Sequence, residues 1–396
     1  MAEQMTLEIL QKAVSGAAAA LRSVTKLQPV GGEGDKIFPA TYAGGGYVTE
    51  KRRLPGEGQL VDCVLINSVQ SEANHAEAAL KDAYESGAIN IPVLEVDFSQ
   101  TAEFRKPVPN LSSLEVPHRL ADAILRDSLL EDGTRFQRSP HALDWSRANL
   151  WNATPIYYLC PTGLVFGMWG SPDNPGGIGA KFERAFVSEI VAVDGLAGDL
   201  RPGYRIDPLE IRSAIRVKKN EIGFEIATPK DSAGLPPSKL NHGNIPFPGK
   251  NAGIRCRYVE QTTVISIGAL RKLRFPKGVK QDTTRDLAGR TVLAALGLCA
   301  AVLASERGTS LRSRCQLWPD APRQWELLET PGQVPRKFTV TGENATALLK
   351  AAVVAANNAG LSWMAEKLIL KPSPELLELI RRSQEVSAVE SGEGAP

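Results

Sequence analysis

The chain is poor in the residues that announce metal, redox or acyl-transfer chemistry. Its 396 residues include five cysteines, Cys63, Cys160, Cys256, Cys299 and Cys315. They are widely spaced, form no CxxC pair and are odd in number, which excludes an ordinary disulfide framework and fits a reduced cytoplasmic protein. The four histidines, His75, His118, His141 and His242, make no HxxxH or HxH pair, so no metal site is expected. No GxSxG elbow is present for a serine nucleophile. Neither GGEG nor AGGGY leads into the Gly-Lys-Ser/Thr of a phosphate-binding loop. The most apolar stretch, Thr291 to Ala304, is too short to span a bilayer and is flanked by Arg290 and Glu306, so it reads as a buried helix and no membrane partner is expected. No secretory signal is visible: Glu3 and Glu8 occupy the start where a signal is basic, and residues 1–24 read as an amphipathic helix.

What is present is a hydrophobic content of 43%, enough for a sizeable core. Net charge is only +2, yet its distribution is uneven. Arg201 to Arg285 holds 17 Lys and Arg against 7 Asp and Glu, while the remainder is net acidic. That asymmetry is the footprint of one basic face. Strands and helices alternate irregularly, which predicts an α+β fold in a single elaborated domain over 1–396. VDCVLI (61–66) and IPVLEVDF (91–98) read as strands, with a helix over 70–86 between them. PHRLADAILRDS (117–128) reads as a helix and GLVFGMW (163–169) as a strand. KFERAFVSEIVAVDG (181–195) reads as a strand-to-helix junction with a strand in IVAV. Residues 229–253 form a long Pro/Gly/Asn/Lys stretch, of the kind that is functional or disordered. A Thr/Ala/Leu-rich helix is expected over 284–305, another ends at Gly360, and the last has Ser373 as its cap. Residues 388–396 read as a disordered tail.

Four clusters could hold phosphate. Behind the strand 61–66, the polar helix start supplies Ser68, Gln70, Ser71 and Asn74. A helix N-terminus offers free N–H groups and a positive dipole end to an anion; equally, Ser68 or Ser71 can serve only to cap the helix. His118, Arg119 and Arg126 form a second cluster, and Lys239, Asn241 and His242 lie in the long loop. Arg271, Arg274 and Lys277 head a dense basic run that continues to Lys280. Small polar side chains beside basic ones suit tracking of an RNA backbone.

The ordered motifs NSVQSEANHAE, PHRLADAILRDS, FGMWGSP, RAFVSEIVAVDG, GYRIDPLEI, SKLNHGNIP and TTVISIGALRKLRFP, followed by RTVLAALGL and LRSRC, carry a resemblance. Over about residues 28–318 the chain resembles the backbone subunit of the type I-U (now I-G) CRISPR effector complex, the Cas-seven-like branch of the RAMP superfamily. The resemblance implies an RRM-like (ferredoxin-like) palm with large insertions, including a thumb-like hairpin or loop, for which 229–253 is the candidate. It implies a non-catalytic protein without cofactor that polymerises along a guide RNA as the Cascade spine. Its partners would be that guide, target DNA paired with it, copies of itself and other Cascade subunits. Ser68, Gln70, Ser71 and Asn74 would hold guide phosphates at the palm. His118, Arg119 and Arg126 would lie on a helix used for the guide backbone. Lys239, Asn241 and His242 would lie in the thumb with Phe247 as a wedge against a base, and Arg271, Arg274 and Lys277 would line the groove. The family's first motif has a basic residue after its Asn, where this chain has His75. The alternative within the superfamily is a metal-dependent ribonuclease using Asp122, Asp127 or Asp173.

Overall fold

The computed structural model describes residues 3–43, 45–54, 56, 58–170, 180–198, 203–220, 223–228, 234–247 and 252–390. It is a mixed α+β structure built on a ten-stranded sheet. The elements that set its centre are, in chain order, β1 (Ala20–Pro29), β2 (Leu60–Asn67), α1 (Val69–Glu85), β3 (Phe186–Val193), β4 (Tyr258–Ser266), α2 (Thr283–Glu306) and β5 (Trp325–Leu328). Across the sheet the order is β5-β1-β4-β3-β2, extended by the strands Thr49–Arg53 beyond β2 and Arg336–Thr339 beyond β5. Neighbouring strands in this central run are all antiparallel.

Period-two burial decides the two faces. On β1, Leu21, Ser23, Thr25 and Leu27 are buried, while Val24 and Lys26 are exposed between them. On β4, the odd positions Val259 to Ile265 are buried and the even ones are half-buried. Side chains of a strand alternate between faces, so β1 and β4 present one set to the helices and the other outward. The helix-covered face is not wholly apolar. Ser188, Gln261 and Thr263 lie beneath Glu72 of α1, whose carboxylate accepts from Asn67 Nδ2 at 2.5 Å, Ser188 Oγ at 2.7 Å and Gln261 Nε2 at 2.6 Å. These bonds satisfy a buried carboxylate and fix the start of α1 over β3 and β4.

The longest helix, α2, starts where Asp282 accepts from the N–H groups of Thr284 and Arg285 at 3.0 and 3.1 Å. It is buried almost all round from Ala288 to Val302, as expected for a helix lacking a polar face. By length and composition it could cross a membrane, but 78% of its apolar window lies inside the fold. Gly289 lets it approach its neighbours: a Cβ there would lie 2.7 Å from Phe275 ring carbons and 2.9 Å from Leu361. Gly289→Ala is therefore expected to cost about 1–3 kcal/mol through overpacking. Denaturant unfolding checks this, and a variant as stable as the parent would contradict so close an approach.

Several local expectations need correction. The amphipathic helix at the start covers only Leu7–Ser15. Its run ends at Gly16, and Ala20 onward is drawn into β1, where tertiary pairing outweighs the helix preference of alanine. PHRLADAILRDS is not one helix. A 3-10 turn at Arg119–Ala121 gives way to one helical turn, Ala123–Arg126, because Arg119 takes a left-handed φ of 51° and Asp122 restarts the helix as its cap. In GLVFGMW, Thr162–Val165 is a helical turn and only Met168–Trp169 is strand. The 181–195 segment is the strand β3, preceded by the short strand Lys181–Phe182 and with no helix. The last helix, Pro374–Glu390, extends into the stretch read as a tail, and 391–396 lie outside the described residues.

Candidate nucleic-acid interface

The strand register separates the basic run from the long insertion, at opposite edges of the sheet. At one edge lie the start of β1 and the end of β4, since Ala20 pairs with Ser266, and the basic run follows directly. The α1 start lies over the middle of the sheet, since Asn67 pairs with Ile190 in the middle of β3. At the other edge Val193 pairs with Tyr258, and from there the chain departs on a long excursion before returning into β4. Nine residues of β4, each rising about 3.4 Å, put the two edges roughly 30 Å apart.

That excursion is a nested antiparallel arm. Leu196–Ala197 pairs with Ile254–Arg255, Gly203–Arg205 with Ile245–Phe247, and Val217–Asn220 with Gly223–Ile226. The segment 229–253, expected to be the whole insertion, contributes only part of it. Residues 229–233 and 248–251 lie outside the described residues. The strands of the outgoing limb, and their partnership with the return limb, are invisible along the sequence. Within the arm, Asn244 Oδ1 accepts from the Asp207 N–H at 2.8 Å and ties the limbs together. Lys239 is exposed on a 3-10 turn, Asn241 ends that turn in the left-handed region at φ 59°, and the His242 ring lies 5.3 Å from that of Phe224. Ser238, His242 and Asn244 border a cleft of about 520 Å³ together with Arg212, a residue outside the four predicted clusters. The backbone of Phe247 pairs with Gly203.

Over the middle of the sheet, Ser68 caps α1, accepting from the Ser71 N–H at 3.3 Å; Gln70 and Asn74 are exposed and Ser71 is half-buried. Glu72 already places an anionic group in the first turn of this helix. A cleft of about 250 Å³ runs alongside, but there Arg307 is paired with Asp82 and Glu72 adds negative charge. Its electrostatics do not favour phosphate.

The second cluster divides. Arg119 is buried, donating through Nε and Nη2 to the two oxygens of Glu77 at 2.6 Å each and through Nη1 to the Gly167 carbonyl at 3.0 Å. Burial pushes the Glu77 carboxyl up, and Arg119 opposes that shift. A guanidinium with these partners has no face for RNA, and Arg119 leaves the candidate set. His118 is exposed. Arg126 is half-exposed and pairs with Asp127 at 2.7 Å. Asp122 accepts from the N–H groups of His118 and Ile124, and Asp173 lies outside the described residues. Among the described residues no three His, Cys, Asp or Glu side chains gather as a metal site would require.

The basic run divides as well. Arg271 Nη2 donates to the Ala18 carbonyl at 2.7 Å, and Arg274 Nη1 lies 3.3 Å from the Asp286 carboxylate. Lys272 reaches Glu183 at 2.5 Å. Lys277 and Lys280 are exposed on a tight turn closed by their own backbones, 2.9 Å and 3.2 Å in the two directions, with Gly278 at φ 62°. Arg274 is also paired in both directions with the turn at 149–153: its N–H donates to Leu150 and its carbonyl accepts from Ala153, both at 2.9 Å.

Strands β1 to β3, with α1 between them, can be set against known families. Residues 21–195 match the model of the family described as CRISPR-associated protein GSU0053. The match covers less than half of the chain and makes this part of it similar to a CRISPR-associated protein family. It spans β1 through β3 and ends where the arm begins. No curated protein matches the chain.

Proposed function

We propose that the chain is a non-catalytic subunit of a type I-G Cascade complex that holds a CRISPR guide RNA by its backbone. Copies of it would assemble along the guide, leaving the bases to read target DNA by pairing. The observation that carries this reading is the connectivity. The succession β1-α1-β3-β4-α2-β5, with spatial order β5-β1-β4-β3 and β2 beside β3, supports reading the centre of the sheet as a ferredoxin-like (RRM-like) palm. The nested arm occupies the connection between the adjacent strands β3 and β4 and includes the described part of 229–253, the thumb candidate. Ile206 and Leu209 of the arm are 81% and 72% exposed, an apolar surface that suits contact with another copy. The exposed cations for the guide are Lys277 and Lys280 at one edge and Lys239 on the arm.

The reading is tested by expressing the chain with a CRISPR array and its partner subunits and recovering bound RNA. Guide-length RNA in salt-sensitive oligomers is expected. In equilibrium binding to that RNA, Lys277→Ala with Lys280→Ala should weaken affinity and flatten the logarithmic salt slope by about 0.7 for each phosphate no longer neutralised. A salt-independent affinity would overturn the electrostatic part, and metal-dependent cleavage of bound RNA would favour the ribonuclease.

A further inference from the structure

Three tryptophans, Trp145, Trp325 and Trp363, are buried as expected for this residue, but Trp151 and Trp169 are 71% and 68% exposed. Both are linked to the basic run through a chain of contacts. Trp151 is at the tip of the turn 149–153, and the double backbone pairing with Arg274 pins that turn. Its own N–H donates to Asn149 Oδ1 at 2.9 Å, which stiffens the tip. Two residues before Arg274, Lys272 holds Glu183. Two residues before Glu183, Lys181 lies opposite Trp169 in the strand pair and places its ammonium 5.4 Å over the indole ring. These contacts link Trp151 to Arg274 and Lys272 to Glu183, and Lys181 to Trp169, with the exposed Lys277 and Lys280 following in the basic run.

We propose that Trp151 and Trp169 are stacking sites for unpaired bases of single-stranded nucleic acid, with Lys181, Lys272, Arg274 and Lys277 meeting its phosphates. This deepens the function proposed above and rests on its identification of the ligand as nucleic acid. An exposed indole presents a flat apolar face that any base can cover, and cations interleaved with such rings form the usual platform for single strands. Protein interfaces also use tryptophan, but their cores are depleted in charge and especially in lysine. The surroundings here are rich in lysine, and Glu183 is the acid that the series includes. An indole that covers a base's face takes the place of the neighbouring base of a continuous stack, so this surface favours single-stranded nucleotides over the interior of a duplex.

The test uses the full chain without guide, a fluorescein-labelled 12-mer of oligouridine, and a 12-base-pair RNA duplex as comparator, read by anisotropy at fixed salt. Trp151→Ala and Trp169→Ala are each expected to weaken oligouridine binding roughly tenfold, with duplex binding unchanged. Trp→Phe at either site should recover most of the loss, since a phenyl ring still stacks. Trp318→Ala, removing an exposed indole on a different strand (Cys315–Pro319), should have no effect. Equal binding by parent and Trp→Ala proteins overturns the proposal, as does a Trp→Ala effect confined to molecular mass in light scattering, which would mark a protein interface. Recovery of guide RNA from cells is the separate readout. If Trp→Ala proteins still carry guide but bind oligouridine like the parent, stacking fails and the guide-binding reading stands. If no guide is ever recovered but the tryptophan effect persists, that reading fails and stacking stands.

Discussion

Arg119→Ala is expected to lower folding stability by about 3–5 kcal/mol, because it leaves the Glu77 carboxylate buried without its partner. The side chains of the pair are only 9% and 4% exposed. The removed guanidinium also bonds the Gly167 carbonyl and lies 5.4 Å over the Phe166 ring. Denaturant unfolding measures the effect, and a loss below about 1 kcal/mol would contradict it. Restoring balance by replacing both partners with apolar residues, Glu77→Leu with Arg119→Met, should recover most of the stability, since a buried pair contributes little beyond its mutual compensation. The experiment also separates two roles for this arginine. An RNA-binding arginine would lose affinity at unchanged stability, whereas the geometry predicts lost stability and, for the protein that remains folded, unchanged affinity.

Replacing residues 198–253 with Asn-Gly is expected to leave a folded protein that no longer forms RNA-bound oligomers. The replacement is structurally permitted because Ala197 already pairs with Ile254, so a two-residue turn can close the hairpin at its base. Ile254, buried against Ile37 and Leu27, stays in place and keeps that core cluster intact. Circular dichroism and thermal unfolding should match the parent closely. Co-expression with a CRISPR array should give at least a tenfold drop in RNA recovered per protein and a particle of monomer size. Intact oligomers with a normal load of RNA would remove the arm from the assembly.

The α+β class and most of the regular elements were legible because their signals are local. The Thr/Ala/Leu-rich run of α2, the cap at Ser68 and the alternation of β4 each depend on near neighbours. Sequence and structure part where a distant partner decides the outcome. Arg119 meets Glu77 across 42 residues, and nothing in PHRLADAILRDS distinguishes an internal guanidinium from a phosphate ligand. The N-terminal alanines favour helix in isolation, but Ala20 begins β1, paired between β4 and β5, and Ala17 to Ala19 precede it outside any helix. The arm was half legible: its return limb lacks core residues and reads as a loop, while its outgoing limb is defined only by pairing to that return. For the basic run, Lys277 is exposed as expected, but the hydrogen bond of Arg271 to Ala18 joins segments 253 residues apart. Trp145 lies on the buried side of the short helix Pro140–Ser146, whereas Trp151 stands exposed on the turn that the Arg274 backbone pins.

The nesting of the arm also fixes how the molecule would respond to force. In an antiparallel pair the hydrogen bonds run across the limbs, so a pull at the joined tip, near Asn220 and Gly223, stretches both limbs together and does not part them. The tension passes to the base of the arm and into β3 and β4, which are held along their length by pairing to β2 and β1. The arm would therefore behave as a tether: tension transmitted between copies would be carried into the central sheet instead of being released by opening the arm.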